Sequence, residues 1–262
     1  FDPVEMKIYT SGASFREDAL SSFDLIHIDP WKRLKNIREA ATATISDINF
    51  ISRINPEVLF EVGTEEAIRP YEVSDLNSFV EFLKNGLSEE NFNKIKYMVI
   101  QSGTGISGTR NVGKFNKKRC IEMVNFCKSN GFLSKEHNGD YLNTIQIKKR
   151  FNIGLDAINI APEFGVSETR TILNEINRAN REDLFNSFFE IVYNSEKWKK
   201  WLPDNFKVST REDKKEVVKV GGHYVFSNHE FSKIISELPG IKKKIKNSHR
   251  KRIQKIIEAI DS

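Results

Sequence analysis

The residues able to do chemistry recur at intervals, each closing a short apolar run. Asp29 ends Asp24-Leu-Ile-His-Ile-Asp29, Glu61 lies in Val58-Leu-Phe-Glu-Val-Gly63 with Thr64 beyond it, and Gln101 ends Tyr97-Met-Val-Ile-Gln101. Glu136 and His137 end Phe132-Leu-Ser-Lys-Glu-His137, and Asn159 falls in Leu155-Asp-Ala-Ile-Asn-Ile-Ala161. His137 with Glu136 offers an imidazole nitrogen and a carboxylate oxygen, donors that a divalent metal accepts. Such an ion polarises a carbonyl while Asp29 or Glu61 moves the proton. A strand-end histidine held only by hydrogen bonds is the competing reading, because no close-spaced set of ligands stands in the sequence. His27 alternates with Asp29, but a histidine inside an apolar run reads first as a core residue.

A second candidate is the glycine-rich stretch Ser102-Gly-Thr-Gly-Ile-Ser-Gly108. Between a strand and a helix, the backbone N–H groups and hydroxyls of Ser102, Gly103, Thr104 and Gly105 can hold a phosphate, with Arg110 and Lys114 adding positive charge. Neither the P-loop nor the Rossmann spacing is met, so the loop alone is a weak signal.

The elements that must position these residues alternate. After the first run, Ile37, Ala41, Ile45, Ile48 and Ile51 keep the spacing of a helix that Pro56 stops. Leu76, Phe79, Val80 and Leu83 mark a second helix, capped by Ser74 or Asp75 and ended at Gly86. A third covers roughly 115 to 129, a short one ends at Gly154, and another begins near Ser167. Five strand-then-helix units argue for a parallel sheet, and polar residues gathered at strand carboxyl ends favour a TIM-type (β/α) barrel over a doubly wound sheet. Residues 1 to 23 supply at most one further strand, around Met6 to Tyr9. The chain starts at Phe1, so the expectation is that the first barrel strands precede it. The barrel portion is assigned to 1–180 and a mainly helical C-terminal extension to 181–262. In the extension Leu184, Phe185, Phe188, Phe189, Ile191 and Val192 form a broad apolar stripe.

Composition sets outer bounds. Lys and Arg number 41 against 36 Asp and Glu, a net +5, but residues 242 to 255 hold eight of the basic residues and no acid. Removing those eight leaves −3 on the remainder, so the basic character belongs to one amphipathic terminal helix and not to a nucleic-acid face. No run of about 20 apolar residues exists to span a membrane. Asp2, Glu5 and Lys7 stand where a signal peptide would be apolar, so the chain reads as cytoplasmic. Cys120 and Cys127 read as buried free thiols.

Taken together, the motifs resemble class II sugar-bisphosphate aldolases, and more closely the so-called non-catalytic subunit of class II tagatose-bisphosphate aldolase. The resemblance is carried by His27 to Pro30, Gly63 to Glu65, Glu136 to Tyr141 and Lys197 to Lys200, and it extends over most of residues 24 to 240. It implies a zinc-type metal at His137, a phosphorylated sugar as substrate, and carbohydrate metabolism as the setting. One departure is the loop after Gly103, which carries no histidine where the catalytic aldolases place a zinc ligand. Two readings follow: an aldolase-like lyase or isomerase acting at the barrel mouth, or an accessory subunit that stabilises a separate catalytic aldolase or assembles with its own copies.

Overall fold

The computed structural model describes residues 13–261, apart from residues 22, 35 and 67. The strand expected at Met6 to Tyr9 lies outside the described residues. Elements follow in the order α1 (Ala13–Leu20), β1 (Leu25–Ile28), α2 (Ile37–Ile54), β2 (Leu59–Val62), α3 (Val73–Gly86), α4 (Glu89–Asn93) and β3 (Ile95–Ile100). Next come the hairpin strands β4 (Ile106–Ser107) and β5 (Arg110–Asn111), then α5 (Lys117–Ser129), β6 (Leu133–Glu136), α6 (Thr144–Phe151) and β7 (Ala157–Ile158). The remainder is helical: α7 (Pro162–Arg178), α8 (Glu182–Ser195), α9 (Arg211–Gly221), α10 (His229–Ser236) and α11 (Ile241–Asp261). None of these helices is long and apolar enough to cross a membrane.

Five strands form one parallel sheet in the order β1-β2-β3-β6-β7, and β4 pairs with β5 in a separate antiparallel hairpin. The order follows the chain without the reversal that creates a switch point in doubly wound sheets. Among the described residues the sheet is open, with β1 and β7 at its edges. The β1–β2 register sets His27 directly beside Glu61.

Local chemistry explains the helices around it. Asn36 caps α2 by accepting the Glu39 N–H at 2.9 Å, and the buried face Ala40, Ala41, Thr44, Ile48 and Ile51 packs toward the core. At α3 the cap is Glu72, not Ser74 or Asp75. Asp75 sits three positions inside and accepts the Glu72 N–H at 2.9 Å, the reach-back of a capping box. The strand expected over 155 to 161 shrinks to Ala157–Ile158, and α7 begins at Pro162, ahead of Ser167. Proline is pre-set for the first helical turn. There Asp140 accepts the N–H groups of Ala161 at 3.0 Å and Glu163 at 2.7 Å, so Asp140 serves the helix start.

The chain divides into two compact units: residues 1–105, 113–139 and 149–159, and residues 106–112, 140–148 and 160–262. The first holds the sheet, with a core that includes Ile28, Phe60, Val62, Phe79, Met98 and Met123. Cys120 and Cys127 are free and buried there, and burial pushes their thiols up to about 11 and about 12. The second unit is built on the aromatic stripe of α8, which meets Ile172 and Ile176 of α7 and Val217 and Val218 of α9. In α11, Ser248 meets Ser167, His249 meets the Phe164 carbonyl, and Arg252 pairs with Glu163. The face of α11 that carries Ser248, Arg252, Ile256 and Ala259 is the covered one, and Ile253, Ile257 and Ile260 lie off it and are exposed.

Phe188 is fully buried, and Gly222 packs so closely that a Cβ there would lie 3.1 Å from the Phe188 ring. Phe188→Ala should therefore cost about 3 to 5 kcal/mol, read as a lower denaturant midpoint in equilibrium unfolding.

Candidate metal centre

Strand alternation turns Ile26 and Ile28 toward the core and His27 to the opposite face. The same alternation on β6 separates Lys135, and His137 just beyond it, from Ser134 and Glu136. Glu61 joins them: its Oε1 lies 2.5 Å from His137 Nε2, and its Oε2 accepts from Lys135 Nζ. The His27 and His137 rings stand edge to face with centroids 4.7 Å apart. In a flat sheet β1 and β6 would be three strand spacings apart, about 14 Å, so the sheet curls toward this face.

His27, Glu61 and His137 each present one donor atom within 4.8 Å of the others. Among the described residues they are the group of three or more His, Cys, Asp or Glu so arranged. His27 Nε2 donates to the Gly63 carbonyl at 3.0 Å, which leaves Nδ1 with the free lone pair. Two imidazole nitrogens and one carboxylate oxygen are the donor set of open, borderline divalent metal sites, with outer partners fixing the ligands. The residues fit such an ion.

The charges are strongly coupled. Burial pushes the Glu61 carboxyl up, but the His137 hydrogen bond, the His27 charge and Lys135 together bring it down to about 2. Burial, reinforced by His137, holds His27 below the usual imidazole range against the opposing pull of Glu61.

The remaining predicted residues divide. Asp29 stays close, adding to the field at His27. Its Oδ1 accepts the Trp31 N–H at 3.1 Å and its Oδ2 the Thr64 hydroxyl at 3.0 Å. Asn159 is half-buried; its N–H donates to the Glu136 carbonyl and its carbonyl accepts from Gly139, both at 2.9 Å. Glu136 is not brought to the metal donors. It is buried on the other face of β6, where Oε2 meets Arg150 Nε at 2.6 Å and Oε1 takes the Ser102 N–H at 3.1 Å and the Ser102 hydroxyl. Ser102 thus already holds an internal anion where a phosphate was expected. Gly103 adopts φ +95°, and a Cβ there would lie 2.0 Å from the Lys114 carbonyl oxygen, so this glycine permits close backbone packing. The Thr104 hydroxyl donates to the His137 carbonyl at 2.7 Å, and Gly105 is half-buried. Arg110 is exposed on β5, in the other unit. Sequence reasoning set His27 aside as a core residue, although its two-residue offset from Asp29 puts both on one face. It did not single out Lys135, whose matching signal is its two-residue offset from His137.

No model of a protein family matches the sequence, and a search of curated proteins also finds no match. Solved structures do match. One is a probable tagatose 6 phosphate kinase from Sinorhizobium meliloti, with TM-score 0.65 and 14% identity over 87% of this chain and 62% of that one. Another is the fructuronate-tagaturonate epimerase UxaE from Cohnella laeviribosi with two glycerols bound, with TM-score 0.67 and 11% identity over 96% of this chain and 67% of that one. The native form of that epimerase gives TM-score 0.59 and 12% identity over 86% of this chain and 51% of that one. What is shared is the fold. The chain spans between about half and two thirds of the length of these structures. The aldolase resemblance rests on local motifs, with no family-level sequence match behind it.

Two measurements test the electrostatics. Arg150→Met leaves the buried Glu136 carboxylate without its cation and should destabilise by about 3 to 5 kcal/mol in chemical unfolding. Glu61 has a depressed folded pKa, so its contribution to stability is present above pH 4.5 and is lost as the pH falls toward 2. In metal-free protein, Glu61→Gln should flatten the acid limb of the stability profile between those values.

Proposed function

We propose that the chain is the site-bearing part of a metal-dependent enzyme of carbohydrate metabolism that works on the carbonyl end of a sugar or sugar phosphate. The observation that carries this reading is the convergence of His27, Glu61 and His137 from three strands. We take the curled, sequentially ordered sheet as a section of a β/α barrel, whose chemistry belongs at the strand carboxyl ends. The names of two similar structures, a probable tagatose 6 phosphate kinase and a fructuronate-tagaturonate epimerase, support the carbohydrate setting.

A zinc-like ion held by His27, Glu61 and His137 would supply Lewis acidity toward the substrate carbonyl. Glu61 stands between the two imidazoles with Oε2 held by Lys135, so its role is that of a ligand through Oε1. Asp29 is the carboxylate left to receive a proton from the carbon beside the carbonyl, held in place by Trp31 and Thr64. Asn159, placed by its backbone bonds at the end of β7, hydrogen-bonds a sugar hydroxyl. Aldol cleavage and epimerisation share one demand, stabilisation of the oxyanion that forms when a bond to the neighbouring carbon breaks. The aldolase-like reading satisfies it.

One observation favours a second reading. Lys135 and His137 already satisfy Glu61, so the group is electrically complete without an ion. A protein in that state would serve as an accessory subunit that stabilises a separate aldolase.

Metal analysis of protein purified without chelator separates the two. The enzyme reading expects about one equivalent of zinc or a similar ion, and His137→Ala should weaken binding more than about a hundredfold while leaving the circular dichroism spectrum intact. Metal-free wild-type protein, or undiminished binding in the variant, would overturn it.

A further inference from the structure

Two of the three metal donors in the cluster have their other polar atom tied down. His27 Nε2 is on the Gly63 carbonyl, and Glu61 Oε2 is on Lys135. The second of these is unusual. Lysine side chains are almost never buried unless paired, yet Lys135 is only 14% exposed and meets a carboxylate that is 3% exposed. Its ammonium lies 5.5 Å from the centre of the Tyr97 ring. The neighbouring acid, Glu136, is sent by strand alternation to the other face and is held there by Arg150. The two ion pairs therefore cannot exchange partners.

Resting on the metal reading above, we propose that Lys135 is a positioning residue that restricts Glu61 to one metal-binding oxygen and thereby selects the class of ion. An ammonium on Oε2 removes the second oxygen and drains charge from the first. What remains toward the ion is two imidazole nitrogens and one weakened oxygen. Imidazole suits zinc, cobalt and nickel, whereas manganese, magnesium and calcium draw their affinity from carboxylate charge and oxygen number. Lys135 thus disfavours the hard ions far more than the borderline ones.

Replacing Lys135 has opposed effects on zinc, which loses an oriented ligand but also a nearby positive charge. For manganese both consequences are favourable, since a second oxygen and a full charge become available. The ratio of the two affinities is therefore the sensitive quantity.

The experiment titrates the full chain with zinc, cobalt and manganese by chelator competition, for wild type, Lys135→Gln and Lys135→Arg. The wild type should prefer zinc over manganese. Lys135→Gln should reduce that preference by at least about tenfold, the scale on which outer partners act on metal sites. Its cobalt form should also lose visible absorption intensity as coordination rises. Lys135→Arg, which keeps the charge and the donors, should restore both readouts. An unchanged ratio and spectrum in Lys135→Gln overturns the role of Lys135 while leaving the metal centre standing. A wild type that binds none of the three ions removes the metal reading and this inference with it. If Lys135→Gln does not fold, a crystal structure of the zinc-loaded wild type decides the matter: one oxygen of Glu61 on zinc supports the proposal, and two overturn it.

Discussion

The carboxylate of Glu61 is buried within a hydrophobic sheet, and a charge in that position must be met from close range. No neighbour on β2 meets it. The compensation comes from His27 across the adjoining ladder and from Lys135 and His137 two strands away, beyond β3. Contacts of that span form only if the sheet curls so that side chains on one face converge. The charge, the curvature and the metal-type donor set are thus aspects of one constraint.

A second buried acid shows how the opposite face is kept separate. Glu136 follows Lys135 by one residue and points the other way, into a closed set with Arg150 and Ser102, where Arg150 also lies 4.4 Å from the Phe115 ring centre. That set holds β6 to the loop after β3 and to the last turn of α6. Thr104 in the same loop grips the His137 carbonyl. The glycine-rich segment therefore acts on the candidate site through the backbone of His137, by a packing that its glycines make possible.

Much of the fold was legible from periodicity. The five strand positions, the helices α2, α3 and α5, and the buried stripe of α8 follow from apolar spacing, because a residue that must be buried has few places to go in a helix or strand. The misplaced details have local causes. The cap of α3 depends on a side chain reaching backward, and the start of α7 on Pro162 and on Asp140, distant in sequence. The terminal helix α11 is amphipathic as its sequence suggested, with Ala259 buried on one face, while Ile253 and Ile257 fall off that face and are exposed.

For the candidate site, the sequence by itself determined which strands carry polar ends and, through the two-residue repeat, that His27 faces with Asp29 and Lys135 with His137. It left Glu136 and His137 standing as a joint donor pair, which the structure parts by holding Glu136 on Arg150 at the other face of β6. Only the tertiary structure decided that His27 and His137, 110 residues apart, come within ring contact, and that Lys135 takes one oxygen of Glu61. Strand order and sheet curvature set those distances. Both arise from how helices and strands pack over the whole unit, a property that no local pattern of residues encodes.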